Sequence, residues 1–394
     1  MNKLYYKNFK NNSPDLLIYK NIFTKFTESC NYMPLCFYNF LPIFITSMMQ
    51  KESVILSDLA TIIAPLYEIN IESAERKIRR FLKSEENDFV NFYEKFIDYL
   101  LSNFKIKHND KKGNIALDYM HIENKFTILL FSLRIGKTGI PLWFRVFDYN
   151  NPEAYQLSLF KEGILFCHNI IKKYNPISKI SFLADRFFGN HPKIMDYIDN
   201  LGDYYYFRTK KNLLILSYDK KESKYIYKPI HKLNSYKYHS TFYNDIIFTK
   251  KNFKTNLAIS KSHEHNEPYY IVTNTNPHTA IKEYSKRFGA IEFLFKQEKS
   301  AGFFIEETQI RSLKSLTSLF ACVCIAQTLL TTLGIDFSKN TRCYKRIKIT
   351  TSKIVKGKRK KLFSYFHIGL MITHYFFKMP NPINLFSRLI LYDV

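Results

Sequence analysis

The six cysteines, at positions 30, 36, 167, 322, 324 and 343, include no CxxC pair and no repeated spacing. That argues against a zinc site and for buried thiols in a reducing compartment. The opening residues, MNKLYYKNFKNNSP, lack the apolar core of a secretory signal, so the expected location is cytoplasmic. Internal repeats and low-complexity tracts are missing. Glycine, alanine and arginine are sparse beside asparagine and lysine, a bias that an AT-rich genome produces without any physical need. Acid is the shortage with the largest consequence: 34 Asp and Glu stand against 59 Lys and Arg, a formal charge of +25. A charge of that size calls for a polyanion, nucleic acid first and an anionic membrane surface second.

What is present is apolar and aromatic. Apolar residues make up 46% of the 394, with 36 Phe and 29 Tyr, so the chain is long and greasy enough for two or three folded domains. The longest uncharged run, Ser315 to Ile335, has the length of a membrane span, but six hydroxyl side chains and a glutamine mark it as a buried core helix.

Residues 1 to about 35 are polar and aromatic without a clear period. A helical pattern begins at Leu41. SDLATIIAPLYEIN (Ser57 to Asn70) opens on Ser57 as N-cap with Asp58 in the first turn. After a break at Asn70 to Glu72, SAERKIRRFLKSE (Ser73 to Glu85) predicts a second helix, with Ile78, Phe81 and Leu82 inward and Arg76, Lys77, Arg79, Arg80 and Lys83 outward. Helix, turn and basic helix is the outline of a helix-turn-helix DNA reader, with Arg76, Arg79 and Arg80 as its contacts. A three-helix bundle with a solvated basic face fits the same pattern. DFVNFYEKFIDYLLSNF (Asp88 to Phe104) adds a further amphipathic helix.

After the polar stretch KHNDKKGN the period changes to two. NIALDYMHIE begins as a buried strand with Asp118 near its end. Phe126 to Arg134 and Ile140 to Val146 form a hairpin across IGKTG, Leu157 to Tyr174 is helical, and Ile177 to Ala184 is a strand leading into Asp185. A helix (His191 to Asn200) and the strand YYYFRTK follow. YSKRFGAIEFLFKQEK (Tyr284 to Lys299), read as a regular helix, sets Phe288, Glu292, Phe295 and Lys299 on one stripe. Two strands thus deliver Asp118 and Asp185 towards their carboxyl ends, where sites on α/β sheets form, and Glu292 can join them from the helix. Three ionised carboxylates need a cation between them. Hard oxygen ligands select Mg²⁺ or Mn²⁺, and two such ions serve a phosphodiester displacement.

The blocks LDYMHIENKFTILLFSLRIGKTGIPLWFRV, FLADRFFGN and YSKRFGAIEFLFKQEKSAGFFIEET resemble the DDE transposases of the IS4 type, from about Asn114 to Gly334 and more weakly into the N-terminal helices. The resemblance implies an α/β, RNase H-like mixed sheet flanked by helices, with a β-rich insertion before the third acid and a helical N-terminal DNA-binding region. The corresponding boundaries are 1–106 for the helical region, 107–211 and 281–340 for the two parts of the core, 212–280 for the insertion and 341–394 for a basic C-terminal region. It also implies that Asp118, Asp185 and Glu292 are the catalytic, metal-binding triad. Tyr284, Arg287 and Lys299 look like the remaining members of a Y-R-E-K signature that contacts phosphates near the cut end. Arg186 is placed to orient the strand or to pair with a carboxylate. Tyr269 in PYYIVTN matches an aromatic that stacks on a flipped base, with Tyr270 as its rival. One departure is plain: the family has three residues between the signature Arg and Glu, and here there are four, Phe288 to Ile291. A π-bulge at Gly289 takes up the extra residue; alternatively Arg287 precedes the helix.

Rival acids are Asp148, Glu298, Glu306 and Glu307, of which Asp148 reads as a turn acid and Glu298 falls on another helix face. His263 and His265 sit in a polar loop, and SKIVKGKRKK (Ser352 to Lys361) either tracks a DNA backbone or is a solvated loop. The implied activity is metal-dependent nicking at an element end, then attack of the freed 3′-hydroxyl on the opposite strand to give a hairpin, by a synaptic homodimer on terminal inverted repeats and target DNA, in a bacterial cytoplasm at the nucleoid. No membrane or small-molecule partner is expected. The competing readings are a decayed transposase that only binds DNA and a domesticated metal-dependent nuclease.

Overall fold

The computed structural model describes residues 33–103, 112–219, 223–233, 239–248, 253–260, 267–299, 302–339, 352–355, 358–361 and 363–377. His263 and His265 lie outside the described residues. The chain divides into two compact units, one of Met1–Asn103, Ile122–Lys125 and Phe295–Val394, the other of Phe104–His121 and Phe126–Leu294.

The first unit opens with helices α1 (Leu35–Lys51), α2 (Leu56–Leu66), α3 (Ile71–Lys83) and α4 (Phe89–Asn103). Aromatic rings lock them together: Phe81 of α3 meets Phe40 of α1 edge-on at 4.8 Å, and Phe37 meets Phe92 of α4 at 4.9 Å. Ile78, Phe81 and Leu82 are buried, as the periodicity predicts. The expected cap Ser57 instead lies inside α2, whose N-cap is Ile55. Ser53 serves the turn, donating to Asp58 at 3.0 Å and accepting from the Ile55 amide at 3.1 Å. Asn70 caps α3 by accepting from the Ser73 amide at 2.7 Å.

The second unit is built on one ten-stranded mixed sheet. Its strands and helices run β1 (Lys112–Ile122), β2 (Phe126–Ile135), β3 (Thr138–Asp148), α5 (Leu157–Tyr174), β4 (Lys179–Ala184), α6 (Pro192–Asn200), β5 (Tyr204–Arg208), β6 (Leu214–Asp219), β7 (Lys224–Pro229), β8 (Thr241–Phe248), β9 (Phe253–Ser260), β10 (Tyr269–Thr273) and α7 (Pro277–Tyr284), and the spatial order of the strands is β3-β2-β1-β4-β5-β10-β9-β8-β6-β7. β1, β4 and β5 are parallel, and β2 and β3 form an antiparallel hairpin. Parallel neighbours require crossovers, which α5 and α6 supply. The first eight residues of β2 are buried without alternation, the pattern of a strand covered on both faces. This is a mixed α/β architecture, a ten-stranded sheet flanked by helices, as expected of an RNase H-like core. The β-rich segment after β5 is no separate sheet: β10 pairs antiparallel with β5, with Ile271 opposite Arg208, and β9, β8, β6 and β7 extend the same sheet.

Beyond α7 the backbone widens into a π-helical turn, Phe288–Glu292, and returns to α-helix in α8 (Phe293–Lys299). The single regular helix read across Tyr284 to Lys299 is therefore corrected, and the bulge at Gly289 is present. α9 (Leu313–Lys339), a short hairpin β11 (Ser352–Val355) with β12 (Lys358–Lys361), and α10 (Tyr365–Phe377) complete the described chain. α9 is long and apolar enough to cross a membrane, but 94% of its apolar window is buried by the fold. It packs against α1, α3, α4 and α10 as the central helix of its unit.

Candidate active site

Strand register sets the first two acids. The β1–β4 pairing ends at Leu117 opposite Ala184, so Asp118 and Asp185 emerge side by side where the two parallel strands stop pairing. Asp118 is one-quarter exposed, and its Oδ1 accepts from the Tyr119 amide at 2.9 Å. Asp185 Oδ1 is buried and has no hydrogen-bond partner. The loop that follows it is fastened to the end of β5. Gly189 lies against the Arg208 carbonyl, where any Cβ would come within 1.8 Å of the oxygen. Asn190 donates to the Arg186 carbonyl at 2.8 Å and accepts from the Thr209 hydroxyl at 3.0 Å. The Gly-Asn pair after the second acid therefore fixes the loop carrying Asp185 to the neighbouring strand.

The π turn delivers the third acid. The Phe293 amide bonds to the Phe288 carbonyl five residues back, so residues five apart share a face that a regular helix would split by about 140°. The β2–β3 hairpin supports this turn. Ser132 donates to the Ala290 carbonyl at 2.9 Å, and Gly139 sits so close that a Cβ would lie 1.8 Å from that same oxygen. Gly139 thus provides close approach to the bulge, while Gly136, with φ of 64°, makes the hairpin turn.

Arg287 is the centre of the arrangement. Its guanidinium is 4% exposed, donates from Nη1 to Glu292 at 2.8 Å and from Nη2 to Asp118, and leaves Nε without a partner. Burial pushes the Asp118 carboxyl up to about 6 against the pull of Arg287, with the charges of Asp185 and Glu292 adding to the rise. Burial likewise raises Glu292, with Arg287 opposing. The three acids therefore feel one another, and a positive charge already stands between two of them.

Around this core, Tyr284 is buried, its ring 6.4 Å from Tyr269 and 6.3 Å from Phe288. Tyr269 is partly exposed where Tyr270 is buried, yet the Arg208 guanidinium lies 4.4 Å over the Tyr269 ring. Arg208 was not singled out from sequence. Its signal was position, a cation ending the strand next to the one that delivers Asp185. No carboxylate among the described residues pairs with it. Arg186 pairs with Glu267, at 3.1 Å, which also meets Lys211.

Lys299 belongs to the helical unit, where it pairs with Glu306 at 2.5 Å. Glu298, in the same unit, is fully buried with both oxygens unpartnered, and burial holds its carboxyl well above the usual range. Asp148 is exposed at the end of β3. Arg76 and Arg79 pair with Glu72 and Glu75 of their own helix, whereas Arg80 is exposed with no such pair among the described residues.

The donor chemistry suits a divalent cation: three carboxylates and an orphaned, buried Asp185 oxygen. In the present arrangement no three His, Cys, Asp or Glu side chains among the described residues stand close enough to hold an ion. Arg287 bridges two of the three.

Residues 133–329 match the family described as "Transposase DDE domain", a span that includes Asp185, Glu292 and Lys299 and begins after Asp118. No protein of curated function matches the chain. Among solved structures, Marinitoga piezophila Argonaute in complex with 5′ OH guide RNA and target DNA shows 15% identity and a TM-score of 0.24, over 51% of this chain and 30% of that one. The chain therefore spans under a third of that protein's length. With half of its residues matched and two acids side by side at the ends of a parallel strand pair, the chain belongs to the DDE-domain transposases.

Proposed function

We propose that this protein is the transposase of an IS4-type insertion sequence, cutting and joining DNA at the element's ends. The observation that carries the reading is Arg287 bonded to both Asp118 and Glu292, with Asp185 following the strand that pairs in parallel with the one bearing Asp118. Asp118, Asp185 and Glu292 would hold two divalent ions, Mg²⁺ with Mn²⁺ as substitute, whose chemistry is to activate the attacking oxygen and stabilise the leaving one.

The chain's own side chains do the rest. Arg287 and Lys299 neutralise phosphates of the Y-R-E-K contact, Arg186 binds backbone at the rim, and Tyr284 fixes the base of the signature. Tyr269 offers a ring to an unstacked base, with Arg208 already seated on it. Water attack at the scissile phosphorus breaks the P–O3′ bond and leaves a 3′-hydroxyl and a 5′-phosphate. That hydroxyl then attacks a phosphorus of the opposite strand, displacing that strand's 3′-oxygen as a hydroxyl on the flanking DNA and closing a hairpin, and no covalent protein–DNA bond forms. A synaptic homodimer joins two inverted repeats and target DNA in a nucleoid-associated, cytoplasmic setting. The basic face of α3, with Arg76, Arg79 and Arg80, belongs to an end-reading region in residues 1–106.

A second reading, a decayed relative that only binds DNA, is favoured by one observation: Arg287 fills the gap between two of the acids. Cleavage of duplex DNA carrying the gene's own flanking ends separates the two. The expected result is cutting that requires Mg²⁺ or Mn²⁺ and is lost in Glu292→Gln, with DNA binding kept. Binding of the ends without any cutting by the wild type would establish the relic instead.

A further inference from the structure

A buried guanidinium shared by two acids raises the question of what it does before and after DNA arrives. Arg287 is almost fully enclosed, its two arms are spent on Asp118 and Glu292, and its Nε has no partner. The two arms are unequal. Asp118 is one-quarter exposed, whereas Glu292 is 46% exposed, so the Glu292 contact is the more screened and the easier to open. The extra residue between Arg287 and Glu292 creates this pairing, because only the widened turn sets residues five apart on one face.

Resting on the transposase reading above, we propose that Arg287 is a positioning residue that serves as the resident counter-ion of Asp118 and Glu292. It holds the two carboxylates in register while DNA is absent, and it must release Glu292 before the triad can take a divalent ion. A phosphate of the DNA is the ligand that draws it away. A planar fork that binds two carboxylates binds a phosphate with the same geometry, so the exchange replaces one charge-assisted pair by another. DNA and metal then bind with positive coupling, and neither alone opens the site fully.

The test is Mn²⁺ affinity, read from the free-ion electron paramagnetic resonance signal, with and without a duplex carrying the gene's flanking end. Controls are the duplex alone and the Asp185→Asn protein. The wild type is expected to bind Mn²⁺ about tenfold more tightly with the duplex present, a usual size for coupling between sites. Arg287→Gln is expected to bind Mn²⁺ about tenfold more tightly than wild type without DNA and to lose the coupling, while Arg287→Lys, with one charge and no fork, falls between. The wild-type measurement needs no variant to fold. Equal Mn²⁺ affinity with and without the duplex, in a protein whose Mn²⁺ binding Asp185→Asn abolishes, overturns the exchange and leaves the metal site standing. Absence of any Mn²⁺ binding that depends on Asp185, with or without duplex, overturns both this inference and the function it rests on.

Discussion

Glu292 and Glu298 lie six residues apart in one stretch of sequence, yet they sit in opposite electrostatic surroundings. Glu292, in the sheet unit, is half exposed, bonded to Arg287 and within the field of Asp118 and Asp185. Glu298, in the helical unit, is fully buried with both oxygens unpartnered and Cys324 among its neighbours. Burial of Glu298 outweighs the opposing charge of Lys299 and favours its protonated form, whereas Glu292 is half exposed and has a guanidinium bonded to it. Acidity of sequence is therefore a poor guide to a site. The cation that faces the acid decides.

Four experiments sharpen that contrast. The largest effect belongs to Glu292→Gln, expected to lower metal-dependent cleavage at least about a thousandfold, roughly 4 kcal/mol of barrier, while Glu298→Gln stays within a few-fold. Parallel rates on the same duplex check it. Next comes Arg287→Gln, which leaves Asp118 and Glu292 without their shared cation. Thermal or urea unfolding without metal is expected to show a loss of about 3 kcal/mol, with Mg²⁺ restoring more stability to the variant than to wild type.

The third concerns pH. Asp118 has a folded pKa raised from 3.8 to about 6, so the native state binds its proton more tightly than the unfolded chain does. Its contribution is fully present below about pH 4 and lost as pH rises through about 6, a change of up to about 3 kcal/mol. Asp118→Asn should flatten that part of the stability curve, measured by urea unfolding from pH 4 to pH 7 in chelator. The smallest effect is expected of Glu298→Met, which removes two unsatisfied oxygens at similar volume. It should stabilise the fold by about 1–2 kcal/mol at neutral pH. Because burial raises the Glu298 pKa, the gain should grow as pH rises. A destabilised Glu298→Met would mean that this acid has a partner of its own.

The sheet-end acids were legible because strands advertise themselves by period and by unbroken apolar runs, and Asp118 and Asp185 directly follow such runs. The bulge was legible as well, since an extra residue between Arg287 and Glu292 has to go somewhere and Gly289 permits it. Other features left no local mark. Nothing in IGKTG distinguishes Gly136, which turns the hairpin, from Gly139, which lets it approach the Ala290 carbonyl. Ser53 supports α2 from outside the pattern that pointed to Ser57. Continuation of the sheet through β10 depends on pairing with β5, a contact between segments far apart in the chain. The double engagement of Arg287 likewise needs two elements brought together, and the sequence pointed only to a phosphate contact for this residue.

The central claim, that Asp118, Asp185 and Glu292 form a cation site whose resident cation is Arg287, is most directly tested by crystals of the protein soaked with Mn²⁺ in the presence and absence of an end duplex, with anomalous scattering recorded. The account predicts an anomalous peak against Asp118 and Asp185 in the duplex complex, with the Arg287 guanidinium moved off Glu292 onto a phosphate. A duplex complex with no peak at these acids and Arg287 still bridging Asp118 and Glu292 would contradict it.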